Sequence, residues 1–239
     1  MTPLLPIFAG LISFLIGALI LRSFGPGYRV GRLLAATPTV TIGEAVEMAK
    51  GGGPERYIKL SGRIDAETDF EDDAHRPLVF RRTRLDLRVK RAWRSLDDQR
   101  EAVPFEVREG LDGIAVRHED LDAGLVVLPR ESVGTAADAP DRVPDGTDPA
   151  ATVRLLVQLV STVEHAIVLG VPSLDARGNP QVAAGLGRPL ILTTLEPDEA
   201  MRVLAGDHAR RPLAVAVSLV VGLALILVGL GWAVVDALP

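Results

Sequence analysis

Apolar residues in this chain are gathered into two uncharged runs, one near each end, with a stretch of shorter-period alternation between them. Leu213 to Val235 is 23 consecutive residues without a charge, Ser218 being the most polar. At about 1.5 Å per residue, a helix of that length covers roughly 34 Å, more than the roughly 30 Å hydrocarbon core of a bilayer. Pro3 to Leu21 is likewise uncharged and almost wholly apolar. The two runs predict transmembrane helices over residues 3–22 and 213–235. In each, small residues recur every fourth position: Ala9, Ser13 and Gly17 in the first, Ala214, Ser218 and Gly222 in the second. In lipid, such faces let helix backbones approach closely, so the pattern predicts that the spans pack together or pair with a second copy of the chain. Trp232 and Tyr28 fall where interfacial aromatic anchors belong.

Between the runs the pattern is that of a domain. Residues 23–54 form a linker with one short helix: Gly25 to Gly27 and Pro38 read as a breaker-rich connection, and Thr41 with Glu44 has capping-box spacing ahead of a helix over 42–50. Gly51 to Pro54 stops that helix, and no Gly-Lys-Ser/Thr follows to make a phosphate loop. From Tyr57 the period becomes two. Strands are predicted over 57–64, 78–89, 103–107, 113–117, 125–128, 153–160, 166–171 and 190–194, with 153–161 readable as helix also. Short strands without long helices between them indicate a β-rich barrel or sandwich over 55–195. Within it, 134–151 carries three prolines and no periodicity and reads as a flexible surface loop. Residues 196–212 read as a juxtamembrane helix, with Pro197, Asp198 and Glu199 in its first turn.

Charge sets the orientation. All 26 Lys and Arg lie between Arg22 and Arg211. Arg22, Arg29 and Arg32 follow the first run, and Arg202, Arg210 and Arg211 precede the second. By the positive-inside rule the central domain is cytoplasmic and both termini face outward, in a multi-pass plasma-membrane protein. A cleaved signal peptide is the rival, but a basic segment before the apolar run is missing. The central part also holds 30 of the 31 acids, a balance of 26 − 30 = −4 that disfavours nucleic acid as a partner.

The chemistry-bearing residues are sparse. Cysteine is absent, which removes disulfides, thiolate metal sites and cysteine nucleophiles. His75, His118, His165 and His208 stand singly, so neither a metal nor a cofactor is expected. Asp65 to Asp73 holds six acids in nine positions, but Phe70 and Arg76 occupy the places where a calcium loop needs Gly and Glu, leaving a solvated acidic loop. Arg81, Arg82, Arg84, Arg88, Lys90, Arg91 and Arg94 form a basic stretch. Arg82, Arg84 and Arg88, with Arg210 and Arg211, are candidates for contact with anionic lipid, although strand alternation splits the stretch and the preceding acidic loop is expected to neutralise it. Glu164 beside His165 points to opposite strand faces and makes no catalytic pair.

One family resemblance appears in the middle of the chain. Trp93, then Val103-Pro104-Phe105 followed by an acid, then Asp112-Gly113 and the strand after it, resemble the GIDE or beside-a-membrane domain. That domain occurs in mitochondrial membrane-anchored ubiquitin ligases of the Mulan/MAPL type and in prokaryotic membrane proteins. Val163 to Gly170 and Pro189 to Thr194 are similar to its later strands, and the likeness runs from roughly Thr37 to Leu230. It implies a β-rich barrel held against a membrane, with Trp93, Pro104, Phe105, Asp112, Gly113 and Gly170 as framework residues. Ligase activity in the family resides in a C-terminal RING of Cys and His. This sequence has no cysteine and ends four residues past the second run, so no catalytic residue is assigned.

The expectation is a membrane protein with two transmembrane helices flanking a mainly-β, barrel-like cytoplasmic domain with short helices. Its function would be that of a non-enzymatic interaction or scaffold module, with membrane lipids and a membrane protein as partners and a homo-oligomer possible in principle. The competing expectations are an enzyme with a site assembled from distant residues, or a ligase-related component, and an anionic-lipid-binding membrane organiser.

Overall fold

A computed structural model describes residues 4–22, 26–72, 74–122, 124–205 and 211–237. The chain divides into two units, Met1–Gly31 with Leu204–Pro239, and Arg32–Val203. The helices are α1 (Leu4–Arg22), α2 (Pro26–Ala36), α3 (Ile42–Lys50), α4 (Pro197–Ala205) and α5 (Arg211–Ala237). The strands are β1 (Ile58–Asp65), β2 (Phe70–Glu71), β3 (Pro77–Val89), β4 (Ala92–Ala102), β5 (Phe105–Glu109) and β6 (Asp112–Val116). They continue with β7 (Leu125–Val126), β8 (Arg130–Thr135), β9 (Thr152–Ser161), β10 (His165–Leu174), β11 (Pro180–Ala183) and β12 (Ile191–Thr193).

Alternation in β1 turns Ile58, Leu60 and Ile64 inward and Ser61, Arg63 and Asp65 outward. Its neighbours do the same, and the strands close into a ring: β1-β5-β6-β11-β10, with β10 returning to pair β1 from Ile58↔Gly170 to Arg63↔His165. Within the ring only β6 and β11 run parallel. Five strands in this order make a closed Greek-key barrel with OB-type connectivity. Its interior is filled by Leu60, Ile64, Val107, Ile114, Val168 and Val182, all 1% exposed or less. Ile42 and Ala45 of α3 join the same cluster, so the helix lies against the barrel core. The capping box reads as the sequence implies: Glu44 N–H donates to Thr41 Oγ1 at 3.2 Å, and Thr41 N–H donates to Glu44 Oε2 at 2.9 Å.

A second sheet, β2-β3-β9-β8 with β4 also on β3, grows from the barrel. Val79 and Phe80 at the base of β3 and Val160 of β9 belong to the barrel core. Farther out, Leu85, Ala136 and Val153 form a small core of their own. The stretch expected to be a flexible loop, 134–151, covers that core: it holds two single-turn 3-10 helices, and Ala136 N–H donates to Ala151 C=O at 2.8 Å. Proline density hid this order because 3-10 turns leave no long hydrophobic period to read.

Two further differences have plain causes. The expected breaker-rich connection is α2, with Pro26 at its first position, where the missing N–H costs nothing, and Val30 and Leu34 buried four residues apart. Strand β4 was absent from the expected set because Arg94 to Arg100 is charged and polar apart from Leu96 and shows no apolar period. It forms by pairing with β3 along ten register positions, and its charges protect the outer edge.

In the other unit α1 and α5 pack on each other. Ser13 Oγ donates to Ser218 C=O at 2.8 Å. A Cβ on Gly222 would stand 2.9 Å from Gly10 O, and one on Gly17 would stand 3.1 Å from Leu219 Cδ2. Gly10, Ser13 and Gly17 line the contact, whereas Ala9 is exposed, which corrects its expected place on this face. Helical spacing explains the shift: positions 10, 13 and 17 follow i, i+3, i+7, the seam of two helices wrapped at a shallow angle. Ala214 is in α5, but its side chain lies outside the described residues. The segment Val215–Trp232 is long and apolar enough to cross a membrane; Pro6–Leu19 of α1 is apolar but shorter. With cysteines at 13 and 218 in this cysteine-free chain, oxidation in the membrane is expected to link α1 to α5, and Gly10→Leu with Gly222→Leu to abolish the link. Undiminished crosslinking would remove this seam.

Candidate functional site

The second sheet gathers the basic stretch onto its two faces, and alternation decides which arginine goes where. Arg82, Arg84, Asp86 and Arg88 share one face of β3. Opposite them across β4 and β9 stand Arg100, Asp98, Trp93 and Arg154. Nearest the barrel, Arg82 donates to both Asp98 oxygens, Nε at 2.8 Å and Nη2 at 2.6 Å. Arg100 Nη2 donates to Asp122 at 2.7 Å, and Arg82 lies 3.3 Å from the same carboxylate. The Arg82 guanidinium holds the Asp98 carboxyl below its ordinary range, with Arg100 adding to the effect.

Farther along the hairpin, Asp86 is 2% exposed. Arg154, its cross-strand partner, donates to Asp86 Oδ2 through Nε at 3.0 Å, with Nη2 at 2.9 Å, and Arg84 Nε lies 3.1 Å from Oδ1. Arg154 continues to Glu131 at 3.7 Å and places its guanidinium 4.5 Å from the Trp93 ring centre, where Arg88 sits at 5.9 Å on the same ring. One network therefore joins β8, β9, β3 and β4.

Of the expected anion contacts, Arg82 and Arg84 are thus committed to carboxylates. Their partners come from β3, β4 and the turn at Asp122, not from the acidic loop that precedes β3. That loop has its own partners: Asp65 accepts from Arg108 at 2.9 Å, and Asp72 from the guanidinium and backbone N–H of Arg76. Arg210 lies outside the described residues, and so does the side chain of Arg211. Arg88 is exposed and makes no ion pair among the described residues.

Arg76, by side chain and backbone, and the Ala74 N–H hold the Asp72 carboxyl at about 2 against an ordinary 3.8. A depressed acid stabilises the fold above its unfolded value and loses that contribution as pH falls from about 4 to about 2. Titration by NMR is expected to show the Ala74 amide signal moving with a midpoint near 2. An Ala74 shift centred near 4 would contradict the turn geometry.

The family-like residues have packing roles. Phe105 is 4% exposed in the barrel core, while Pro104 is exposed before it. Asp112 opens β6 beside Gly43, and a Cβ on Gly113 would stand 2.8 Å from Glu106 Oε2. Gly170 sits where β10 changes partner from β1 to β11. Trp93 is the framework residue placed farthest from the barrel core, near the end of the β3–β4 hairpin.

Alternation of the outer face of β1 brings together two residues that no sequence signal paired. Ser61 Oγ and His165 Nε2 are 2.8 Å apart, 104 positions away in sequence. Glu164 turns instead to the backbone N–H of Ser161 at 3.5 Å. The pair lies on an open strand surface with His165 exposed, so nothing shields a reacting group from water, and it reads as a cross-strand hydrogen bond. Beside it, a polar cleft of about 570 Å³ is lined by Arg63, Asp65, Asp69, Arg108 and Thr162.

Fold and site define a mainly-β protein with a closed five-stranded barrel, a charged second sheet and one helix able by length and composition to cross a membrane. Comparison with known protein families, with characterised proteins and with solved structures finds no match to this chain.

Proposed function

We propose that this protein is a non-enzymatic, membrane-anchored interaction module of the beside-a-membrane kind, whose barrel is presented at the cytoplasmic face of a plasma membrane to a membrane-protein partner. The α1–α5 seam carries this reading. The Ser13 hydroxyl donates to the Ser218 backbone carbonyl between two apolar helices, with Gly10 and Gly222 bringing the backbones together, as expected of helices that meet in lipid. On this reading both apolar runs cross the bilayer as a pair and the arginines flanking them stay inside, which the positive-inside rule supports. A domain tethered at both ends keeps a restricted orientation, which suits it to receiving a partner held in the same membrane.

The barrel supports binding rather than turnover. Its interior is packed with apolar side chains, and the charged groups of its strands lie on outer surfaces, where a protein surface docks more readily than a small substrate is enclosed. In-membrane crosslinking of the native chain with mass spectrometry is expected to return the same membrane-protein neighbour in repeated preparations. Recovery of none would reject the module. Hydrolysis of a simple ester that disappears in Ser61→Ala would reject the non-enzymatic assignment.

A further inference from the structure

Charge is segregated along the β3–β4 hairpin. At its base every arginine of β3 has an acid: Arg81 binds Glu101, Arg82 binds Asp98, and Arg84 binds Asp86. At its tip, Arg88, Lys90, Arg91 and Arg94 are all exposed, and none makes an ion pair among the described residues. The nearest acids are occupied elsewhere. Asp97 holds Arg142 at 2.8 Å, Asp86 holds Arg84 and Arg154, and Glu131 lies against Arg154.

The tip is also free of the sheet. Backbone pairing with β9 ends at Leu87↔Val153, so the backbones of Arg88 to Trp93 pair only with one another, through Arg88↔Trp93, Val89↔Ala92 and the turn at Lys90 and Arg91. Two apolar residues, Val89 at 44% exposure and Ala92, stand among the four cations. Trp93 is held beneath them by the Arg154 and Arg88 guanidiniums, which stiffens the hairpin end. The base is neutral, the tip carries four cations with a small apolar point, and the chain that bears it has a helix able to cross a membrane.

From this we infer that the hairpin tip, Arg88 to Arg94, docks on the anionic phospholipid surface of a membrane, its cations among the headgroup phosphates and Val89 with Ala92 at the interface. The inference rests on the membrane anchoring proposed above and adds a second, electrostatic contact to it. Lys and Arg near an anionic surface each contribute roughly a fivefold factor to association, and the effect fades within a Debye length. Anchoring supplies proximity, so a modest contact suffices to fix the orientation of the domain.

The test uses the full chain in nanodiscs, with Ala92→Cys as its only cysteine carrying a fluorophore and with a headgroup-linked quencher in the lipid. Discs containing phosphatidylglycerol are expected to quench the label, and phosphatidylcholine discs to leave it bright. Salt at about 1 M, where the Debye length is about 3 Å, is expected to restore the signal. Lys90→Glu with Arg91→Glu is expected to weaken docking by on the order of 25-fold or more without lowering the Tm. Equal quenching in both lipids, or quenching unchanged by the double substitution, would overturn the inference. So would a label that ignores phosphatidylglycerol and responds to an added oligonucleotide. Retention of the chain in the discs after a carbonate wash reports anchoring separately: a retained chain with a bright label rejects the tip contact alone, and a chain washed out rejects the anchoring beneath it.

Discussion

Gly170→Ala is expected to lower the Tm of the barrel domain by about 6–12 °C. The added Cβ would lie 2.5 Å from Val182 Cγ1, 2.7 Å from Ala183 O and 2.9 Å from Leu190 Cδ1. A side chain can turn aside, but Ala183 O belongs to β11, which pairs with β10 beginning at the next residue, Val171. Relief therefore requires the two strands to separate where the ring closes. Overpacking of this kind costs about 3 kcal/mol, and each kcal/mol moves the Tm of a domain of this size by about 2–4 °C. Thermal unfolding by circular dichroism checks it. A shift below about 1 °C would mean that β10 does not cross from β1 to β11 at this point.

Asp86→Ala is expected to destabilise by about 3–5 kcal/mol, because it leaves Arg84 and Arg154 facing each other in a half-buried site without their shared carboxylate. The distinguishing observation is the partner variant. Asp86→Leu combined with Arg84→Met and Arg154→Met removes all three members of the group and is expected to recover most of the loss, since a buried ion pair contributes little net over apolar packing. Arg154 also rests on Trp93, so in a Trp232→Phe background the Trp93 emission is expected to shift with Asp86→Ala as the guanidinium moves. An Asp86→Ala cost under about 1 kcal/mol, with unchanged emission, would contradict the network.

How much of this was legible in the sequence depends on what held each element together. Strands β1, β3, β5 and β10 bury one or both faces in the barrel, so their apolar alternation announced them. The capping box at Thr41 is a local device and was equally readable. Strand β4 is shaped by its neighbour, and a run such as Arg94 to Arg100 carries no apolar period at all. Strands β8 and β11 were hidden by brevity and by glycine and proline at their ends. Barrel closure rests on pairings such as Gly62↔Ala166, separated by 104 positions, which periodicity does not encode. The same holds for the charges. Alternation predicts that Arg82, Arg84 and Asp86 share a face, but only the register with β4 and β9 shows that Asp98 stands across from Arg84 and Arg154 across from Asp86, and that the unpaired cations are left at the tip. On the helices, Ser13 and Gly17 of the four-residue spacing meet α5 while Ala9 is exposed and Gly10 takes its place, because a packed seam alternates three and four.

Membrane orientation is the claim on which the proposed function stands, and Leu111 offers the most direct probe of it. This residue is 96% exposed at the β5–β6 turn, and the chain has no cysteine of its own. Leu111→Cys should react with a membrane-impermeant maleimide only after the plasma membrane is permeabilised, while a cysteine at Leu238 should react in intact cells. Labelling of Cys at 111 in intact cells would place the barrel outside and overturn the proposal.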